Sequence, residues 1–104
     1  MRNIVYRPRA VVDLDGIMVY LAFELKSPQA AQAAWDMIRE SVERIANVPT
    51  IGHAFEDDDL EQGYRRILSG NYWIYYTFDE KDLTVWRIFH ASRNDDAYGF
   101  HVFG

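Results

Sequence analysis

Six side chains that could act on a nucleic acid or bind a partner lie in the C-terminal part of the 104-residue chain: Arg65, Arg66, Arg87, His90, Arg93 and Tyr98. RNA cleavage through a 2′-hydroxyl needs a proton acceptor, a charge that stabilises the pentacoordinate phosphorane and a proton donor for the leaving oxygen. The candidates for such a nuclease are Arg66, Arg87, His90 and Tyr98. Protein docking is the second use of this composition, because arginine and aromatic residues are enriched at interfaces.

The charge of the chain favours docking over nuclease chemistry. The formal net charge is −5, and the only lysines, Lys26 and Lys81, lie at a predicted helix end and in a predicted turn. Direct binding to nucleic acid is therefore not expected, since phosphate contacts need clustered positive charge. We assign no catalytic residue and predict a protein-binding face that carries Arg65, Arg66, Arg87, His90 and Arg93.

Each of these residues also has a structural interpretation. Arg65 and Arg66 point to opposite faces of one predicted strand, so one of them is expected to leave the binding face. Arg87 lies mid-strand, where a charge needs a partner or an open face, and a stacked or salt-bridged arginine would satisfy that need. His90 fits a hydrogen-bonded residue at a strand end better than a general acid. The three histidines lack the spacing of metal ligands, so no metal or cofactor is predicted.

The excess negative charge lies in one short run. Residues 55–62 carry five acids and no Lys or Arg, which leaves 11 acids and 11 bases in the rest of the chain. The five acids are Glu56, Asp57, Asp58, Asp59 and Glu61. A charge run usually stays in water as a connection between elements, and the alternative is a selective contact with a basic partner.

The elements that would position these side chains follow from periodicity. A β-branched run at 3–6 predicts a strand, and apolar residues at helical spacing predict a helix from Pro8 to about Lys26. Ser27 and Pro28 open a second helix, which ends before Pro49 and Gly52. Period-two patterns then predict strands at 64–68, 71–78 and 83–91. The order β-α-α-β-β-β predicts an α+β fold in which a helical hairpin packs on one face of a small, mainly antiparallel sheet.

Length and composition predict a single domain over residues 1–104. The chain contains no cysteine, lacks the apolar run of a signal peptide, and has no stretch near the roughly 18 apolar residues of a membrane span. A cytoplasmic protein is therefore expected. The tail at 95–104 alternates apolar side chains at Tyr98, Phe100 and Val102, which favours an extended segment laid on the sheet or on a partner.

Three stretches, taken together, resemble the ParE branch of the RelE/ParE toxin superfamily. They are the opening "YRPRAVVDLDGIMVYLA", the helix exit "VPTIGH" and the long run "GYRRILSGNYWIYYTFDEKDLTVWRIFHASRND". In that branch a "GNY" hairpin leads into an "I-Y-Y" strand, and the last strand ends in a pattern that corresponds to Arg87, His90 and Arg93, with Asp95 displaced by one position. The resemblance spans roughly residues 4 to 95.

The resemblance implies a toxin of a bacterial type II toxin–antitoxin module, of the kind described as plasmid stabilisation proteins. Its implied partner is a cognate antitoxin in a hetero-oligomer such as a heterotetramer, and its implied target is DNA gyrase. On this interpretation the acidic run would select the antitoxin. RelE-like relatives instead cleave messenger RNA on the ribosome, and a degenerate toxin that binds antitoxin without acting is the third alternative.

Overall fold

The computed structural model describes residues 1–54 and 63–92. In chain order the elements are β1 (Asn3–Tyr6), α1 (Pro8–Val19), a π-helical turn (Tyr20–Glu24), α2 (Pro28–Asn47), a 3-10 turn (Pro49–Ile51), β2 (His53–Ala54), β3 (Arg65–Ser69), β4 (Tyr72–Phe78) and β5 (Asp82–His90). This is the predicted α+β order, with the short strand β2 added.

The five strands form one sheet in the order β1-β5-β4-β3-β2. The pairs β2–β3, β3–β4 and β4–β5 are antiparallel, and β1 lies parallel to β5 because the helical hairpin carries the chain back across the sheet. Pairing of β1 stops at Val85, so the outer edge of β5 has no strand beside it from Trp86 onward within the described residues. A register shift between Tyr75 and Tyr76 marks a bulge at the same level.

The helix boundaries follow local capping chemistry. Pro8 and Pro28 occupy first-turn positions, where the missing N–H costs nothing. The Ser27 hydroxyl accepts a hydrogen bond from the Ala30 amide at 3.2 Å, which confirms the predicted N-cap. The first helix widens into the π-helical turn and stops at Lys26, whose φ of +50° takes the chain out of the helical region.

One face of the sheet packs against both helices and forms the main core. The fully buried members include Ile38, Val42 and Ile45 from α2 and Ile74, Leu83 and Val85 from the sheet. The predicted helix stripes and the period-two strands therefore meet where expected. None of the helices within residues 1–54 and 63–92 has the length and apolarity needed to cross a bilayer.

Candidate functional site

The face of the sheet away from the helices carries two cross-strand rows. Strand register places Arg66, Tyr75 and Arg87 in one row. The next row consists of Leu68, Trp73 and Phe89. We call these six residues the outer face. Of the predicted binding residues, the register places Arg66 and Arg87 together on this face.

The centre of the outer face is already packed. Tyr75 is 0% exposed and Phe89 is 4% exposed, and their rings meet edge to face at 5.7 Å. Trp73 is partly buried against them. Tyr75 therefore belongs to a second hydrophobic cluster, and the most exposed apolar residue of the outer face is Leu68, at 49%.

Arg66 extends this cluster. Its guanidinium lies 4.1 Å from the centroid of the Trp73 ring, and Nη1 donates to the Tyr75 hydroxyl at 3.4 Å. A guanidinium stacked on an indole gains cation–π energy and loses part of its hydration. Arg66 thus covers aromatic side chains as well as carrying charge.

Arg65 points the other way, as the alternation predicted. Its Nη1 donates to the Gly52 carbonyl at 2.8 Å, where the chain leaves the 3-10 turn. The Tyr76 hydroxyl donates to the Pro49 carbonyl and accepts the Gly52 amide at 3.1 Å. Burial raises the pKa of Tyr76, against the opposing effects of the Gly52 amide and the Arg65 charge. Arg65 and Tyr76 therefore hold the segment that follows α2 against the sheet by hydrogen bonds.

Arg87 forms an ion pair with Asp13 of α1. Nε lies 2.7 Å from Oδ2 and Nη2 lies 3.0 Å from Oδ1, and the two side chains are only 14% and 13% exposed. Oδ2 also accepts the Ile88 amide at 3.0 Å. Asp13 therefore occupies the edge of β5 at the point where β1 has stopped, and the Arg87 guanidinium lies 4.4 Å from the Phe89 ring centroid.

His90 lies at the end of β5, in the row of Tyr72, which packs in the main core. Its ring meets the Tyr72 ring edge to face at 5.3 Å, and Nδ1 accepts the Ser92 amide at 3.1 Å. Strand alternation thus places His90 on the opposite face of the sheet from Arg66 and Arg87. Of the three nuclease candidates that lie within the described residues, only these two arginines share a row.

Several predicted residues fall outside the described ranges. They are Arg93, Tyr98, the rest of the 95–104 tail, and the acidic residues Glu56, Asp57, Asp58, Asp59 and Glu61. Their proposed roles remain predictions. Among the residues that are described, no group of three His, Cys, Asp or Glu side chains is arranged to hold a metal ion.

A groove between α1 and the part of β5 beyond Val85 was not predicted. Its volume is about 800 Å³, and we call it the α1–β5 groove. The helical wall consists of Val12, Asp13, Gly16, Ile17, Tyr20, Leu21 and Leu25, and the strand wall and its polar end consist of Asn71, Tyr72, Ile88, Phe89, His90 and Ser92. Burial, with a smaller contribution from Tyr20, raises the pKa of Tyr72. The sequence contained one signal for this wall, because α1 and its π-helical turn carry apolar residues, such as Val12 and Tyr20, outside the helical stripe that packs in the core.

Comparison with known proteins places this architecture in a family. The sequence model described as "ParE toxin of type II toxin-antitoxin system, parDE" matches residues 4–95. The chain belongs to the ParE toxin family. Toxin ParE1 of Caulobacter vibrioides (strain ATCC 19089 / CIP 103742 / CB 15) is 33% identical over 90 residues, which cover 86% of this chain and 90% of that protein. The resemblance drawn from the sequence is thereby confirmed, and this ParE-family chain is a toxin of a type II toxin–antitoxin system.

A solved structure described as the chromosomal ParDE TA system from P. aeruginosa contains a chain with the same fold. The TM-score is 0.71 at 21% identity, and the match covers 88% of this chain and 98% of that one. The β-α-α-β-β-β core of this ParE-family toxin is thus found in a structure already solved.

Proposed function

We propose that this ParE-family toxin is held inactive by an antitoxin segment bound in the α1–β5 groove, and that the free toxin acts by binding DNA gyrase. The observation that carries the first part is the groove itself, which is lined mostly by apolar side chains and runs along the edge of β5 that β1 does not pair within the described residues. The gyrase target rests on family resemblance. The solved relative belongs to a ParDE system, which supports a partner of the antitoxin class.

The chemistry of the groove fits an amphipathic segment. Ile17, Leu21 and Ile88 offer an apolar floor, and exposed Leu25 extends the wall at one end. His90 supplies a polar end and is one of the predicted binding residues. Amphipathic segments laid into apolar grooves are a recurrent mode of peptide recognition.

The contacts of the two outer-face arginines weigh against phosphate chemistry. Arg87 would have to leave a nearly buried carboxylate, and Arg66 would have to leave an indole ring, before either could bind a scissile phosphate. Separating a buried ion pair costs about 3–5 kcal/mol, because the carboxylate left behind is uncompensated. Protein binding, which leaves these contacts in place, is the activity that the geometry supports best.

Two exposed leucines test where the antitoxin binds. Leu25 borders the groove and Leu68 lies on the outer face, and their exposed fractions, 53% and 49%, are nearly equal. Leu25→Ser should weaken antitoxin binding by about tenfold or more in titration calorimetry, because a buried interface leucine is lost. Leu68→Ser is the matched control and should leave the affinity within about twofold. The reverse result would place the antitoxin on the outer face, as the sequence suggested.

The target is tested with purified toxin and two assays. Inhibition of DNA supercoiling by gyrase, relieved by antitoxin, is the expected result. Cleavage of messenger RNA on ribosomes without effect on gyrase would assign the ribonuclease activity instead. If the toxin binds antitoxin and is silent in both assays, it is the degenerate binder and the gyrase proposal fails.

The acidic run carries a separate proposal about specificity. Neutralising Glu56, Asp57, Asp58, Asp59 and Glu61 should lower the association rate with the cognate antitoxin and flatten its salt dependence, because opposite charges steer encounter. Stopped-flow mixing at several salt concentrations measures both. Unchanged rates would leave the run as a connection only. Light scattering on the complex checks the proposed hetero-oligomer, with a heterotetramer as the expected size.

A further inference from the structure

The first helix is apolar on two opposite faces. Its inward face buries Ala10 and Leu14 and packs Ile17 and Met18 against the core. Its outward face carries large apolar side chains that are exposed rather than packed in the core: Val12 is 69% exposed, Val19 is 54% exposed and Phe23 is 75% exposed. With Gly16 and Tyr20 these residues form a continuous surface, the α1 outer stripe.

Gly16 lies at the middle of this stripe. A methyl group added there would meet no atom within 4 Å among the described residues, so no contact within the described fold requires glycine. Glycine inside a helix costs about 1 kcal/mol relative to alanine. That cost is repaid where another backbone approaches closely, and none of the described residues blocks such an approach at Gly16.

We propose that the α1 outer stripe is a self-association surface, on which a second copy of this chain crosses antiparallel at Gly16. A two-fold axis at this glycine relates positions that are equally distant from it. Val12 of one copy then faces Tyr20 of the other, each four residues from the crossing. The stripe is therefore complementary to itself, as an isologous interface must be.

Charge along the helix supports the antiparallel direction. Arg9, seven residues before Gly16, would lie beside Phe23 of the second copy, seven residues after it, with Glu24 adjacent. A guanidinium beside an aromatic ring and a carboxylate is favourable. A parallel crossing would instead bring Arg9 against Arg9 and Glu24 against Glu24.

The size of the stripe predicts a weak dimer. The α-helical part of the stripe, from Val12 to Val19, extends about 10 Å at 1.5 Å per residue, and the π-helical turn adds Tyr20 and Phe23. Two such surfaces bury less than the 1,200–2,000 Å² of a standard stable interface, so a reversible monomer–dimer equilibrium at micromolar or higher concentration is expected. Because Val12, Gly16 and Tyr20 also line the α1–β5 groove, self-association would exclude antitoxin, and this consequence rests on the proposed function.

Sedimentation of the toxin without antitoxin tests the surface directly and does not depend on the target or the antitoxin site. The full chain should show concentration-dependent dimerisation, and Phe23→Ser should raise the dimer dissociation constant about tenfold or more. Val11→Ser removes an exposed valine from the same helix outside the stripe and should leave the constant within about twofold.

Gly16→Ala separates folding from association. The added methyl should raise the melting temperature of the monomer by about 4–8 °C through helix propensity, while it holds the two helices apart and weakens the dimer. Charge exchange then tests the direction. Arg9→Glu should weaken dimerisation, and Arg9→Glu combined with Glu24→Arg should restore it.

A toxin that stays monomeric at every concentration overturns the proposal. A dimer that is indifferent to Phe23→Ser and Gly16→Ala also overturns it, since another face would then be used. A monomer in which Phe23→Ser weakens only antitoxin binding would assign the stripe to the antitoxin. Failure of charge exchange to restore the dimer would refute the antiparallel crossing.

Discussion

The Asp13–Arg87 pair offers the sharpest test of how this fold is held together. Asp13→Ala removes the carboxylate that accepts two guanidinium bonds, at 2.7 and 3.0 Å, and the Ile88 amide at 3.0 Å. Arg87 would remain 14% exposed in the parent geometry with no carboxylate beside it, and the edge of β5 would lose its cap.

The expected cost is large. Removing one partner of a buried pair costs about 3–5 kcal/mol, and an orphaned amide adds about 1–3 kcal/mol. The two losses overlap, because water that enters solvates both groups, so we expect about 3–4 kcal/mol in total. For a domain of this size that corresponds to a fall in melting temperature of about 12–32 °C.

Urea denaturation measures the free energy of unfolding, and a matched control lies two residues away. Asp15 is an exposed acid on the same helix, so Asp15→Ala changes the net charge and the helix composition equally. It should stay within about 0.5 kcal/mol of the parent. An Asp13→Ala variant within about 1 kcal/mol of Asp15→Ala would refute the view that this pair secures α1 to the part of β5 beyond Val85.

Three further substitutions test the contacts around the sheet, each by denaturation. Tyr76→Phe orphans the Pro49 carbonyl and the Gly52 amide, so a loss of about 2–4 kcal/mol is expected. Because the pKa of Tyr76 is raised in the folded state, its hydroxyl contributes fully to the free energy of unfolding below about pH 10, and this contribution falls as the pH rises above that value. The Tyr76→Phe variant should therefore lose less stability at high pH than the parent does. Gly52→Ala should unfold at lower urea, because its methyl would overlap the Tyr76 hydroxyl. Gly70→Ala should cost about 1 kcal/mol or more, since φ is +59° and the Met37 thioether lies against that position; a neutral result would contradict this packing.

Most of the fold could be predicted from the sequence, but the α1–β5 groove could not. Helix stripes, the Ser27 cap and strand alternation are local signals, so the two helices and the four longer strands were found within one or two residues, except that the first helix ends in a π-helical turn. The strand β2 was missed because two residues give no period. Its pairing depends on Arg65 and Tyr76 holding the α2 exit against β3, and such distant contacts leave no mark on neighbouring positions.

The ion-pair partner of Arg87 could not have been read from the sequence either. Asp13 lies 74 residues away, and several other acids were equally available before the fold was known. The need for a partner was predictable, because a mid-strand arginine next to packed aromatics is rarely left unpaired. The fold selects Asp13, because the pairing of β1 with β5 ends at Val85 and the edge of β5 beyond it faces α1.

The placement of the arginines is consistent with the proposal that this toxin acts by binding a protein rather than by catalysing a reaction. Arg65 donates to the Gly52 carbonyl after α2, Arg66 stacks on the Trp73 ring and Arg87 pairs with Asp13 of α1. All three arginines therefore make contacts that stabilise the fold. A catalytic arginine must instead present its charge to a reacting group that develops in the transition state. Several of the most exposed apolar side chains among the described residues lie along the first helix and its groove, and surfaces of that kind recognise protein chains. Antitoxin binding and toxicity are therefore both expected to respond to changes on α1 more than to changes in the arginines.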